Sequence, residues 1–177
     1  MTILSELQYP IGRFQWSGAN TPTDRERMIA VIESIPGRYL YAVAGLTDAQ
    51  LNTPYRDGGW SLRQVIHHVP DSHMQAYSRT KLALTEDLPV IKTYAEDRWA
   101  ELGDSRETAI EISLTLLNSL HRRWAVLLRS LTATDWERGY RHPEMGVVTL
   151  DKLLALYRWH SEHHLAHITK TRQKHGW

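Results

Sequence analysis

The sequence contains no cysteine in its 177 residues. This absence excludes disulfide bonds, thiolate metal sites and a cysteine nucleophile. A metal ion bound by this chain therefore has to be held by histidine, aspartate or glutamate. Histidine is plentiful, since there are ten, and seven of them fall within residues 121–177.

Long apolar runs and an excess of charge of one sign are also missing. No stretch of 18 apolar residues occurs, and Met1–Glu6 is not a basic segment leading into an apolar one; such segments mark membrane spans and secretory signals. Lys and Arg number 21 against 20 Asp and Glu, and no five basic residues are consecutive. We therefore expect a soluble, cytoplasmic protein that acts on neither membranes nor nucleic acids.

Four segments repeat apolar residues at helical spacing, and none shows the sustained alternation typical of a strand. They run approximately over Thr23–Gly45, Ser61–Leu84, Arg106–Leu131 and Thr149–His175. Ser61 and Gln64 have the spacing of a capping box. Thr149 is expected to cap the last helix at its start, and Gly176 to end it. These patterns predict an all-α four-helix bundle that forms a single domain over residues 1–177.

The other segments are predicted to be an N-terminal arm and two long inter-helix loops. Residues 1–20 are expected to form an extended arm that packs on the bundle, and residues 85–105 and 132–148 to form the loops. Loops of this length often cover functional sites. Pro36-Gly37 is expected to kink or break the first helix, and Pro70 to bend the second or open a turn, because proline removes a helical hydrogen bond.

Four histidines lie within eight residues of the last predicted helix: His160, His163, His164 and His167. Histidines four residues apart lie on one helical face, which suits joint binding of a divalent metal. On a helical wheel His160 and His164 border the apolar face, whereas His163 and His167 turn toward solvent. Bundles build their sites from inward-facing side chains, so the wheel favours His160 and His164. The alternative is a polar helix end whose histidines pack and hydrogen-bond without a metal.

A third ligand has to come from another helix, and the second predicted helix contains His67, His68 and His73. The wheel directs His67 away from the core, places His68 at the edge of the apolar face and directs His73 inward. His67 is thereby rejected, but the choice between His68 and His73 stays open. His73 can equally be a core histidine bonded to a neighbouring helix.

The segment Gly58–His73 reads GGWSLRQVIHHVPDSH. It resembles the GGWTVRQVVHHLADSH motif of the YfiT branch of the DinB-like superfamily, with Val69-Pro70 in place of Leu-Ala. Further similar segments follow the family's order along nearly the whole chain: Tyr9–Gly12, Thr53–Arg56, Leu120–Trp124, His142-Pro143 and Tyr157–Ile168.

The resemblance implies a four-helix bundle with one divalent metal per subunit, zinc or nickel, and a homodimeric assembly. Carried over to this sequence, the three ligands are His68, His160 and His164. Members of the branch are named metal-dependent hydrolases, and relatives transfer low-molecular-weight thiols such as bacillithiol. A small-molecule substrate, with a thiol as a possible cosubstrate, is therefore implied.

Three imidazoles leave a coordination position open for water or a thiol, as in catalytic zinc sites. Together with this open position, the resemblance implies a metal-dependent hydrolase, with a bacillithiol-type S-transferase on the same site as the alternative. A non-catalytic metal-binding or structural dimeric bundle is a third interpretation. Each ligand is expected to donate its second ring N–H to an acceptor, and the candidates near the ligands are Asp71, His73 and His163.

Overall fold

The computed structural model describes residues 3–177, with side chains described from residue 6 onward. Its elements are α1 (Ile3–Gln8), α2 (Pro22–Val43), α3 (Asp48–Leu51), α4 (Leu62–Thr85), α5 (Glu96–Trp99), α6 (Gly103–Glu107), α7 (Ile110–Arg129), β1 (Gly139–His142), β2 (Gly146–Thr149) and α8 (Leu150–His175). The four long helices α2, α4, α7 and α8 form the predicted bundle. Both α2 and α4 pack against α7 and α8, so the order around the bundle is α2, α7, α4, α8.

None of the helices in the part of the chain that the structure describes combines the length and the apolar character needed to cross a membrane.

The predicted helix ends at Ser61, Thr149 and Gly176 are confirmed. The Ser61 hydroxyl accepts the backbone N–H of Gln64, whose side chain returns to the Ser61 backbone. The Thr149 hydroxyl accepts the N–H of Lys152. Gly176 ends α8 with φ of 71°, a left-handed conformation that glycine adopts at little cost.

Of the two expectations at each proline, the break at Pro36-Gly37 and the turn at Pro70 are wrong, because α2 and α4 continue through both residues. The kink and the bend stay predictions. Both proline rings are buried. Next to Pro36, Ile35 is fully buried, and next to Pro70, Val69 is fully buried. Packing of these apolar faces outweighs the loss of one helical hydrogen bond at each proline.

The third long helix begins later than predicted. Residues 103–107 form the short helix α6, and the backbone becomes extended at Thr108 before α7 begins at Ile110. The carbonyl oxygen of Thr108 accepts hydrogen bonds from Nη1 of Arg63 and Nε2 of His67. These partners lie on α4, so no pattern local to residues 103–110 reveals the break.

The N-terminal arm packs on α8 as predicted, but it is not extended throughout, since residues 3–8 form α1. The carbonyl oxygen of Gly12 accepts the indole N–H of Trp159 at 3.2 Å. Asn20 donates to the carboxylate of Asp151 from its backbone N–H at 2.7 Å and from its side-chain amide at 3.0 Å. The arm therefore covers the face of α8 that the wheel assigned to solvent.

The loop of residues 132–148 contains a β-hairpin that the sequence analysis did not predict. Strands β1 and β2 pair antiparallel, with Tyr140 opposite Val148. Both of these side chains are buried. The hairpin closes one end of the core and leads directly into α8.

Two groups of buried apolar side chains fill the bundle on either side of a polar layer. One group includes Trp124, Leu153 and Tyr140, and the other includes Tyr39, Leu62 and Leu117. Between them along the helices lie polar side chains that are almost entirely buried: Ser72, His73, His121 and Ser161. Buried polar groups require hydrogen-bond partners, and in this layer histidines partner one another.

Candidate metal centre

Three imidazoles converge from two helices in the middle of the bundle. His68 lies on α4, and His160 and His164 lie one turn apart on α8. One nitrogen from each ring lies within 4.8 Å of the other two, and the Nε2 atoms of His68 and His160 are 3.4 Å apart. Two nitrogens that bind one tetrahedral zinc ion at about 2.0–2.1 Å are separated by about 3.3–3.4 Å. The observed separation therefore fits a metal ion between these two rings.

The structure brings together the three histidines that the resemblance assigned as ligands and places His67 and His73 elsewhere. His73 is fully buried, and its Nε2 lies 3.1 Å from Nδ1 of His160, whose other ring nitrogen faces His68. Its Nδ1 lies 2.7 Å from Nε2 of His121 on α7. His73 is thus the core histidine bonded to a neighbouring helix that the sequence analysis gave as the alternative.

His67 is not directed toward solvent, which corrects the expectation from the wheel. It is 4% exposed, and its ring contacts the Ser113 hydroxyl at 2.7 Å and the Thr108 carbonyl at 3.1 Å. The segment that joins α6 to α7 covers this face of α4. A helical wheel describes a single helix and contains no information about a segment that covers it. The wheel therefore missed the burial of His67, but its rejection of His67 as a ligand agrees with the position of this ring.

Burial keeps the three central histidines neutral at pH 7. It lowers the pKa of His68 to about 4 and holds the pKa values of His160 and His164 well below their ordinary value of 6.5. For each ring the neighbouring histidines lower the pKa further. Because a metal binds the neutral imidazole, the site is in its binding form without having to release protons.

Asp71 and His163, two of the predicted hydrogen-bond partners of the ligands, do not occupy that position. Within the described residues, neither forms a hydrogen bond with His68, His160 or His164. Asp71 is half-buried, and burial, with a smaller effect of Asp104, raises its pKa to about 6. His163 is 7% exposed, and its Nδ1 is buried with no polar partner among the described residues. The remaining candidate, His73, does contact His160.

His163 and His167 are buried, so the prediction that they turn toward solvent is wrong. The His163 ring stacks on Trp159, with centroids 4.5 Å apart. His167 is 3% exposed, and its Nε2 lies 3.3 Å from the Gln8 carbonyl oxygen. The N-terminal arm supplies this cover. His163, His164 and His167 also form a second histidine cluster, with one nitrogen of each within 4.8 Å of the others.

The three central histidines open onto a cavity of about 700 Å³. Its walls come from the arm, the loops before α4 and α5, and α8, with aromatic and charged side chains from Tyr9, Tyr55, Arg56, Trp60, Tyr94, Glu96, Asp97 and Trp159. The Trp60 ring lies 4.7 Å from His68 and 6.4 Å from His164, centroid to centroid. No site expectation drawn from the sequence concerned the tryptophans, so these walls were not predicted. The position of Trp60 beside the Ser61 cap was the available signal.

Comparison with known proteins adds a family and two named relatives. The model of the DinB superfamily matches residues 25–168. YfiT of Bacillus subtilis (strain 168), named "putative metal-dependent hydrolase", is 47% identical over 172 residues, covering 97% of each chain. A protein of Oceanobacillus iheyensis with the same description is 50% identical over 170 residues, covering 96% of this chain and 98% of its own.

Two solved structures share the fold. The structure of YfiT from Bacillus subtilis, described as an unusual four-helix bundle topology, matches with a TM-score of 0.95 over 97% of this chain and 99% of its own, at 47% identity. The four-helix bundle protein TT2238 matches with a TM-score of 0.54 at 20% identity, over 80% of this chain and 94% of its own. The second likeness concerns the fold alone.

Proposed function

The chain belongs to the DinB superfamily, and from this premise we propose that it is a metal-dependent hydrolase that acts on a small molecule. The observation that carries the proposal is the convergence of His68, His160 and His164 in the wall of a cavity. The names of the relatives, which match this chain over almost its full length, support the same class of reaction.

We propose zinc or nickel as the ion, held by His68, His160 and His164. Bound there, the ion would supply a Lewis acid that polarises the substrate and lowers the pKa of a water or thiol at its open position. The histidines contribute neutral nitrogen ligands because burial keeps their pKa values below 6.5.

Side chains around the ligands orient them and limit the access of water. Trp60 packs against His68 and His164 and restricts the rotation of both rings. The Ser72 hydroxyl lies 3.5 Å from Nε2 of His160 and 3.4 Å from the Tyr157 hydroxyl. Ser72 therefore places a hydroxyl group beside Nε2 of His160 in the cavity wall, where it can hydrogen-bond to a substrate.

The cavity fits a small and partly polar substrate. Its volume of about 700 Å³ lies within the range of about 300–1,000 Å³ that is common for small-molecule sites. Aromatic rings such as Tyr55 and Trp159 provide apolar walls, while Arg56 and Glu96 provide charges of both signs. A substrate with an apolar body and a charged group suits such walls.

Transfer of a low-molecular-weight thiol of the bacillithiol type is the second candidate function. The volume of the cavity supports this second function, because thiol transfer needs room for an electrophile and a thiol in the site together. The chain has no cysteine, so the thiol has to be a separate molecule. Hydrolysis and thiol transfer would use the same three histidines and differ in the nucleophile.

One set of measurements tests the proposal and separates the two reactions. Protein purified without a histidine tag is analysed for metal, then assayed on a panel of activated esters, amides and alkyl halides, with and without bacillithiol or cysteine. We expect about one equivalent of zinc or nickel per chain, and hydrolysis without thiol that is lost in His160→Ala. Turnover that requires the thiol would favour transfer. Undiminished turnover in His160→Ala, or no stoichiometric metal, would contradict the proposed site.

A further inference from the structure

A line of imidazoles runs behind His160 through the interior of the bundle. Nδ1 of His160 lies 3.1 Å from Nε2 of His73, and Nδ1 of His73 lies 2.7 Å from Nε2 of His121. Nδ1 of His121 then lies 2.6 Å from the carbonyl oxygen of Ile32. The four residues come from α8, α4, α7 and α2, so the line crosses all four long helices.

The carbonyl at the end of this line fixes where every proton lies. A carbonyl oxygen accepts and cannot donate, so the Ile32 oxygen accepts Nδ1–H of His121. In a neutral His121 the Nε2 atom then carries a lone pair and accepts Nδ1–H of His73. By the same step, Nε2 of His73 accepts Nδ1–H of His160. This leaves the lone pair of His160 on Nε2, the nitrogen that lies 3.4 Å from Nε2 of His68.

A shorter line of the same kind ends at His164. The carbonyl oxygen of Gln8 lies 3.3 Å from Nε2 of His167 and therefore accepts Nε2–H. The lone pair of His167 is then on Nδ1, which lies 3.3 Å from Nδ1 of His164. His164 donates Nδ1–H to it and keeps its own lone pair on Nε2.

We propose that His73, His121 and His167 are positioning residues that set the tautomers of His160 and His164, so that both present an Nε2 lone pair to the metal. The proposal rests on the proposed function, because the tautomers of His160 and His164 matter only if their Nε2 atoms bind a metal. The anchors are two backbone carbonyls, those of Ile32 and Gln8.

This arrangement differs from one in which a carboxylate accepts the ligand N–H. Within the described residues, no carboxylate hydrogen-bonds to His73, His121 or His167. A backbone carbonyl carries no net charge and does not titrate, so the two lines hold their direction without adding negative charge behind the ligands. The second histidine cluster is explained in the same way, because Nδ1 of His164 is engaged with His167 and is not free to bind a second ion.

The direct test is the tautomeric state of each histidine, read from long-range ¹H–¹⁵N correlation spectra of the ¹⁵N-labelled full chain, both metal-free and loaded with zinc. We expect a protonated Nδ1 on His73, His121, His160 and His164, and a protonated Nε2 on His167, in both states. A protonated Nε2 on His160, or a mixture of tautomers at His73 and His121, would overturn the proposal. If the chain binds no zinc, the proposed function fails, yet the spectra of the metal-free chain still decide the tautomers.

Zinc affinity of matched variants gives a second test. His73→Met removes the acceptor for His160, whereas the amide oxygen of His73→Gln can replace it. We expect His73→Met to weaken zinc binding roughly 10- to 100-fold, measured by competition with a chelating dye, as for other partners of metal-bound histidines. We expect His73→Gln to recover most of that loss. Equal zinc affinities of wild type and His73→Met, with both chains folded by circular dichroism, would overturn the positioning role.

His67→Gln is the control, because His67 is almost fully buried like the positioning residues but, among the described residues, hydrogen-bonds to Ser113 and Thr108 and to none of the three proposed ligands. Its zinc affinity should equal that of the wild type. For the second line, zinc titration of the wild type should saturate at one equivalent. A second equivalent that disappears in His167→Gln would show that the His163, His164 and His167 cluster binds metal, and it would overturn the role of His167.

Discussion

Nε2 of His68 lies 3.4 Å from Nε2 of His160, although 92 positions separate the two residues in the chain. The hydrogen-bond line behind His160 leaves a lone pair on its Nε2. The two nitrogens can therefore share either one proton or one cation. Their separation matches that of two ligands on one tetrahedral ion. Substitution of His68 is therefore the most direct test of metal binding.

Adjacent histidines on α4 should separate metal binding from stability. His68→Ala should abolish stoichiometric metal binding. His67→Ala should retain the metal but lower the free energy of unfolding by about 1–3 kcal/mol, because the half-buried Ser113 hydroxyl loses its partner and the Thr108 carbonyl loses one of two. Metal analysis and urea denaturation of the metal-free chains measure the two effects. Retention of stoichiometric metal by His68→Ala would remove His68 from the ligand set.

Local sequence was enough to predict the long helices and to prefer the pair His160 and His164 over the other histidines of α8. Apolar periodicity and the caps at Ser61 and Thr149 are properties of neighbouring residues, and the structure confirms them. The wheel also placed His160 and His164 beside the core correctly. It failed where a distant segment covers a helix, as at His163 and His167 under the N-terminal arm.

The features that could not be predicted depend on partners far apart in the chain. The interruption at Thr108 is stabilised by hydrogen bonds from Arg63 and His67 on another helix. The pairing of His73 with His121 joins α4 to α7. A helical wheel describes one helix, so it cannot show how two helices are rotated relative to each other. The apolar periodicity of α4 likewise could not decide between His68 and His73 as the third ligand. That choice came only from the family motif.

Acid should destabilise the metal-free protein between pH 6.5 and pH 4. Burial lowers the pKa of His121 from 6.5 to about 4 in the folded chain. In that interval the unfolded chain binds a proton that the folded chain does not. The contribution to stability is therefore fully present above pH 6.5 and is lost as the pH falls, by on the order of 3 kcal/mol for this residue alone.

The pKa values of His68, His163 and His167 are also lowered, to about 4, 4 and 3, so they act in the same direction. Urea denaturation at several pH values measures the effect. The urea midpoint should fall steadily from pH 7 to pH 4, and replacement of the exposed His175 by Gln should leave the curve unchanged. A midpoint that is constant or rises over this interval would contradict the assignment of buried neutral histidines.

Two arginines on the first turns of α2 should differ strongly in their effect on stability. Nε of Arg25 donates to Oδ1 of Asp151 at 2.8 Å, and both side chains are largely buried. Arg25→Met leaves that carboxylate without its cation and should cost about 3–5 kcal/mol. Arg27 pairs with Asp24 in an exposed position, so Arg27→Met should change the free energy of unfolding by no more than about 1 kcal/mol.

Asp151 also accepts two hydrogen bonds from Asn20 at the end of the N-terminal arm. Arg25→Met should therefore loosen the arm as well, and limited proteolysis should cut residues 9–20 faster than in Arg27→Met. Equal unfolding free energies for the two variants would show that the Arg25–Asp151 pair contributes no more than a surface pair.

Two glycines should respond to alanine with opposite signs. At Gly139 in β1, an added Cβ would lie 2.3 Å from the carbonyl oxygen of Val148 on the paired strand. The backbone has to move, and the hairpin leads into α8, so Gly139→Ala should destabilise the protein by about 1–3 kcal/mol.

Gly37 is exposed inside α2 and has open space around the added Cβ. Gly37→Ala should therefore stabilise the protein by about 0.5–1 kcal/mol, because alanine loses less backbone entropy in a helix. Thermal and urea unfolding of the metal-free variants measure both effects, and a destabilising Gly37→Ala would show that α2 needs the freedom of glycine next to Pro36.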